Sequence, residues 1–257
     1  MPAIRTLEDR LDTQLLQRNS RQVVLTQDGG TFLVYARRLL QLQREAVSVL
    51  GSGRHGGVVR LGVPENYAEA WLPHLLERFA HLYPHIRPHI HCRMSSELLE
   101  GLEQGKLDLV LVVRHGASQT GERLASEDLV WAAHRDYRMD PATPVPLALF
   151  PDHCPYRQRS LHALIGCRRP WSREYTSQSP TGLRVAVNTG NAVTVTDRRT
   201  LPADWRVLGE AEGLPPLPPA ELELHRSPSF QHRAGDDLAG LLRALLAPDL
   251  PREGETA

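Results

Sequence analysis

The chain has 257 residues, 41% of them hydrophobic and 23% charged, which is ordinary for a globular protein and leaves ample apolar material for a large core. Lys plus Arg and Asp plus Glu each number 30, so the overall charge singles out no polyanionic or cationic partner. Three cysteines, Cys92, Cys154 and Cys167, form no C-x-x-C pair, and no run approaches the ~18 apolar residues of a membrane span or the apolar core of a signal peptide. A disulfide scaffold and a membrane partner are thereby excluded, and a cytoplasmic protein with reduced thiols is expected.

Residues 4–16 carry Ile4, Leu7, Leu11 and Leu15 at helical spacing. Arg18 and Arg21 then flank the turn-prone pair Asn19-Ser20, and Val23-Val24-Leu25-Thr26 is a short β-prone run. A helix end, a basic turn and a short strand together read as the close of a winged helix. From Asp28 to Leu50 the apolar positions Phe32, Tyr35, Leu39, Leu42, Ala46 and Val49 alternate spacings of three and four, a heptad seam that needs a partner helix. Gly51-Ser52-Gly53-Arg54-His55-Gly56-Gly57 follows as a hinge by composition.

Past the hinge, strands and helices alternate. Val58–Val63, Ile90–Met94 and the apolar run Leu107–Val113 read as strands, with helices over Trp71–Leu82 and Glu97–Gln104 between them. Short connections and right-handed crossovers turn this into a parallel, doubly wound sheet. A second series runs from Pro146–Phe150 through a helix near Tyr156–Ile165, a strand near Trp171–Thr176, a helix near Thr181–Asn188 and a strand over Ala192–Thr196. Glu221–His225 closes it as a strand, and a last helix over Asp236–Leu246 is free to return to the first lobe.

In open parallel sheets a ligand binds beyond the carboxyl ends of the strands. In the first lobe those ends hold Glu65, Asn66, Ser95, Ser96 and Arg114; in the second they hold Thr176 and Asn191. Ser95 or Ser96 opens a helix whose free N–H groups favour an anion, and Arg114 would add a bidentate donor. Such a cleft suits a small polar or anionic metabolite. Rival chemistries are weaker. His81, His85, His89, His91 and Cys92 are dense, but Pro84 and Pro88 interrupt them, and His89 and His91 face away from Cys92 across a strand, so no metal is expected. There is no G-x-S-x-G elbow or paired-carboxylate motif, so no enzyme and no cofactor is expected either. A solute-binding protein would fit the lobes alone, but not the wing and the seam.

Ile4-Arg5-Thr6-Leu7-Glu8-Asp9-Arg10-Leu11, Leu15-Leu16-Gln17-Arg18 and Val24-Leu25-Thr26-Gln27-Asp28-Gly29-Gly30 closely resemble the pattern of LysR-type transcriptional regulators. The likeness continues through Tyr35-Ala36-Arg37-Arg38-Leu39-Leu40, Val59-Arg60-Leu61-Gly62-Val63, Leu72-Pro73, Phe79 with Tyr83-Pro84, and Gly105 with Leu107-Asp108-Leu109-Val110-Leu111-Val112. The second lobe is similar to the HexA/LrhA-like branch in Leu149-Phe150-Pro151, Cys154-Pro155-Tyr156-Arg157, Arg169-Pro170-Trp171 and Tyr175-Thr176-Ser177.

The resemblance implies an α/β fold: a two-lobed periplasmic-binding-protein-like effector domain preceded by a linker helix and a remnant winged helix-turn-helix. The expected divisions are 1–27 for the remnant, 28–57 for the linker helix and hinge, 58–247 for the effector domain and 248–257 for a tail. Within the effector domain, lobe I is expected over about 58–145 and 226–247 and lobe II over about 146–225. The implied partners are DNA, an unidentified effector and further copies of the chain, as a homodimer or homotetramer. Effector contacts would fall near Glu65, Asn66, Ser95 and Arg114. Met1 stands where the family pattern is already midway along the recognition helix, which implies impaired base reading. Arg5, Arg10, Arg18 and Arg21 would remain as phosphate contacts. The implied function is a DNA-binding transcriptional regulator that senses a small metabolite in the inter-lobe cleft; the alternative is a small-molecule-binding module or a dimerisation partner that does not read DNA.

Overall fold

A computed structural model describes residues 2–19, 22–51, 58–114, 121–140, 142–228, 230 and 233–246. The hinge at 52–57, the tail at 248–257 and Arg21 lie outside the described residues, as do the side chains of Arg18, Ala46 and Val49.

The first helix, α1 (Pro2–Leu11), stops earlier than its apolar spacing predicts. Asp12 takes a left-handed φ of 48°, and the Glu8 carboxylate turns back to accept the N–H groups of Leu15 (2.8 Å) and Leu16 (3.0 Å). That turn frees β1 (Leu16–Asn19) to pair antiparallel with β2 (Gln22–Leu25) as a two-stranded wing. Thr26 then caps α2 (Gln27–Gly51), its Oγ1 accepting the Gly29 N–H at 2.9 Å. Gly29 has no room for a side chain, because a Cβ there would stand 2.0 Å from the Leu15 carbonyl oxygen. The helix is thus pinned to the wing, and its length of 25 residues corresponds to roughly 37 Å.

Two five-stranded mixed sheets follow. The first has the order β4 (Arg87–Arg93), β3 (Val58–Pro64), β5 (Leu109–Val113), β12 (Ala220–Arg226), β6 (Glu122–Glu127). β3 runs parallel to β4 and β5, while β12 is antiparallel to β5 and β6. The second has the order β11 (Trp205–Leu208), β7 (Leu129–His134), β10 (Val193–Asp197), β8 (Val145–Leu149), β9 (Trp171–Thr176). There β8 is parallel to β9 and β10, and β7 is antiparallel to β10 and β11. The β-α-β pattern predicts purely parallel sheets; both are mixed.

The chain crosses between sheets at Asp128 and returns over 209–219. These crossings differ from the expected lobe limits near 145 and 225, since β7 belongs to the second sheet and β12 to the first. The reason is local. Glu122–Glu127 is polar and without clear alternation, and nothing in the apolar pattern of Glu221–His225 says which sheet it joins.

Five helices cover the sheets: α3 (Glu65–Leu82), α4 (Ser95–Glu103), α5 (Pro155–Gly166), α6 (Pro180–Ala186) and α7 (Arg233–Leu246). β5 is buried along its whole length, as its unbroken apolar run requires. α3 sends Tyr67, Trp71, Leu75 and Phe79 into the core from one face. The last helix does return to the first lobe: α7 packs on α3, and the Tyr83 hydroxyl donates to Asp237.

Candidate functional site: the cleft between the lobes

α3 begins six residues before the predicted start at Trp71, directly off the end of β3. Glu65, Asn66 and Tyr67 consequently form the first turn of a helix rather than a strand-end loop, and each reaches a different part of the second lobe. Glu65 Oε1 accepts a hydrogen bond from Ser179 Oγ at 3.1 Å, just before α6. Asn66 Nδ2 donates to Asp197 Oδ2 at 3.5 Å, at the end of β10. The Tyr67 hydroxyl is bonded to the Tyr156 hydroxyl of α5. One helical turn thus ties α3 to three elements of lobe II.

The groups behind these ties are buried. Asp197 is fully enclosed and accepts the Thr200 N–H at 2.9 Å and the Thr200 Oγ1–H at 2.7 Å. Burial pushes its carboxyl above the usual range, against the pull of the Thr200 and Asn66 hydrogen bonds. Burial likewise raises Tyr67 and Tyr156 well above an ordinary phenol, so both stay protonated and each hydroxyl needs its partner. Tyr67 also stacks on Trp71, with ring centroids 4.2 Å apart. Near the crossing at Asp128, Arg199 Nε lies 3.2 Å from Glu127 Oε2, and burial raises that carboxyl too.

A cavity of about 440 Å³, counted to its open mouth, lies in front of this turn. Glu65 and Asn66 at the start of α3, Ser95 at the start of α4, and Cys154 and Tyr156 at the start of α5 line it. Three helix starts thus meet at one space, and at α3 and α4 the N-cap residue provides no side-chain hydrogen bond. The Cys154 thiol is raised by burial, partly offset by the N–H groups of Arg157 and Tyr156 that face it. A second compartment, about 740 Å³ to its mouth, shares Glu65, Asn66, Phe150 and Tyr156 and adds Glu69 and Trp205.

The structure brings Glu65, Asn66 and Ser95 together in this cleft, with Ser95 Oγ also accepting the Val113 N–H at 3.0 Å. Ser96 is the next residue of α4 and does not line the cavity. Arg114 turns instead to two carboxylates of β12, bonding Glu221 and lying 3.3 Å from Glu223. Thr176 is exposed at the end of β9. Asn191 is exposed at the close of a π-turn over Val187–Asn191, where Gly190 has φ 77°. Tyr67, Tyr156 and Asp197 are functional candidates that the sequence reading passes over. The strand-end rule points at Asp197 once β10 is carried one residue past Thr196. Among the described residues no group of His, Cys, Asp and Glu could hold a metal ion, and His89 and His91 are exposed on β4.

Two mixed-sheet lobes joined by two crossings, with a cleft lined by helix starts, and a wing and long helix preceding them in the chain, define a two-lobed binding domain behind a winged segment. The LysR substrate binding domain matches residues 52–247. The HTH-type transcriptional regulator PecT of Dickeya dadantii is 31% identical over 226 residues, covering 88% of this chain and 72% of PecT. The HTH-type transcriptional regulator DgdR of Burkholderia cepacia is 33% identical over 221 residues, covering 86% and 75% respectively. A point variant of full-length OxyR from Pseudomonas aeruginosa shares the fold with a TM-score of 0.68 at 19% identity, over 94% of this chain and 84% of that one. The chain belongs to the LysR family of transcriptional regulators.

Proposed function

We propose that the chain senses a small, negatively charged metabolite in the inter-lobe cleft, and that occupancy resets the lobes and so the way the dimer holds DNA. The observation that carries this is the first turn of α3. Glu65 and Asn66 line the cleft, and with the buried Tyr67 behind them they form the ties between the lobes. A ligand that contacts Glu65 or Asn66 competes with or reinforces those ties, which gives it the differential affinity for two lobe arrangements that a switch requires. Asn66, Ser95 at the start of α4 and the exposed Arg93 are the expected anion contacts.

DNA would meet the exposed Arg5 and Arg10 of α1 and the wing carrying Arg18 and Arg21. α2 would pair with a second copy along Phe32, Tyr35, Leu39, Leu42, Ala46 and Val49, giving a homodimer or homotetramer. Cytoplasmic placement follows from this role, and among the described residues no helix is long and apolar enough to cross a membrane. The likeness in Cys154-Pro155-Tyr156-Arg157, Arg169-Pro170-Trp171 and Tyr175-Thr176-Ser177 is the basis on which we assign the HexA/LrhA-like branch.

Hydrogen–deuterium exchange with metabolite mixtures tests the sensing role. Added protection over residues 65–67 and 95–98 is expected. A stabilising metabolite that leaves those segments unchanged contradicts it.

A further inference from the structure

We infer that the boundary between the lobes is proton-linked: Glu127 and Asp197 together hold a proton while the lobes are seated on each other, and release it when the lobes part. The inference shares with the sensing role the premise that the lobes move, and it does not depend on what occupies the cleft.

Each carboxylate belongs to one lobe and is enclosed by a group of the other. Glu127 closes β6 in the first lobe, directly before the crossing at Asp128, and Arg199 of the second lobe lies against its Oε2. Asp197 closes β10 in the second lobe, and Asn66 of the first donates to its Oδ2. Arg199 and Thr200 share one short helical turn, Arg198–Thr200, on which α3 packs. A shift of that turn against α3 and β6 uncovers both carboxylates together.

Both side chains are almost wholly enclosed, Glu127 at 3% exposure and Asp197 at 0%. Around Glu127, the Arg199 guanidinium favours the charged form, while Asp197 and Asp128 oppose it. Around Asp197 stand two donors, Thr200 and Asn66, and the hydroxyls of Tyr67 on α3 and Tyr156 on α5. Burial outweighs the favourable partners at both carboxyls and raises them. Glu127 Oε1 is enclosed and accepts no hydrogen bond among the described residues, so a proton placed there displaces no donor. It also ends the repulsion between Glu127 and Asp197.

When the lobes part, water reaches both carboxylates and their hold on a proton relaxes toward the ordinary carboxylate range. The seated arrangement therefore binds the proton more tightly than the parted one. Its advantage is full where both arrangements are protonated and falls as pH rises above the ordinary range. It levels once the seated pair is itself ionised. Acid thus holds the lobes together, and higher pH loosens them.

Hydrogen–deuterium exchange of the full chain from about pH 5 to pH 8, corrected for the intrinsic rate at each pH, reads the boundary without a ligand. Segments 65–67 and 198–200 should exchange faster than β5 at every pH, through openings smaller than unfolding, and lose protection severalfold as pH rises. Glu127→Gln with Asp197→Asn, uncharged and nearly isosteric, should hold that protection level across the range. Glu127→Gln alone should reduce the dependence. Wild-type boundary protection that does not change with pH overturns the proton link, as does a dependence undiminished in both variants. A flat profile beside added protection of 65–67 by a metabolite overturns the link and leaves the sensing role standing. Boundary segments protected as strongly as β5 at every pH overturn lobe movement, and both readings with it.

Discussion

At the Tyr67–Tyr156 contact, two buried hydroxyls satisfy each other across the lobe boundary. Tyr156→Phe leaves the buried Tyr67 hydroxyl without its bonded partner, so it should cost about 1–3 kcal/mol in urea denaturation. Tyr67→Phe combined with Tyr156→Phe should recover much of that loss, because no orphaned hydroxyl remains. Asp197 poses a different case, because its folded carboxyl binds a proton more tightly than the unfolded one. Wild-type stability should therefore fall as pH rises from the ordinary carboxylate range toward the raised folded value, then level. Asp197→Asn should remove that part of the slope, leaving the variant relatively more stable at neutral pH. Denaturation midpoints across a pH series read the difference directly.

The elements differ in how plainly their residues announce them. β5 and the α2 helix are legible because one is an unbroken apolar run and the other a sustained helical period. β1 is not, since Leu15 and Leu16 continue the period of α1, and only the left-handed Asp12 and the Glu8 side chain end the helix. β6 and β7 escape a reading of the residues because an edge strand such as β6 needs no apolar alternation, and because β7 reads Leu-Val-Trp-Ala-Ala without turn signals. The start of α3 is hidden by Pro64, which reads as a strand end and leads directly into the helix. Along α2, Tyr35, Leu39 and Leu42 are 57%, 65% and 58% exposed, a seam without a partner helix among the described residues. Leu39→Asp with Leu42→Asp should convert dimers to monomers in sedimentation velocity, while the circular dichroism of the two lobes is retained.

For the whole molecule, strand-end topology locates the cleft but assigns its residues only in part. Glu65, Asn66 and Ser95 lie in it because their positions depend on single strands of one sheet. The placements of Arg114 and Asp197 depend on long-range partners, β12 in one case and α3 in the other, and no local pattern encodes those. At the opposite end, Arg5→Ala and Arg10→Ala should each weaken DNA binding by a similar factor on all sequences. Each should also reduce the salt dependence of the binding constant by roughly one unit of slope, as loss of a phosphate contact does.

The most direct test of the cleft as the sensor is a thermal-shift screen of cell metabolites against the wild-type chain and Asn66→Trp, whose indole would fill the space beside Tyr156. A metabolite that raises the wild-type midpoint and leaves that of the variant unmoved is the expected result. Metabolites that shift both proteins equally would contradict a sensor in the cleft.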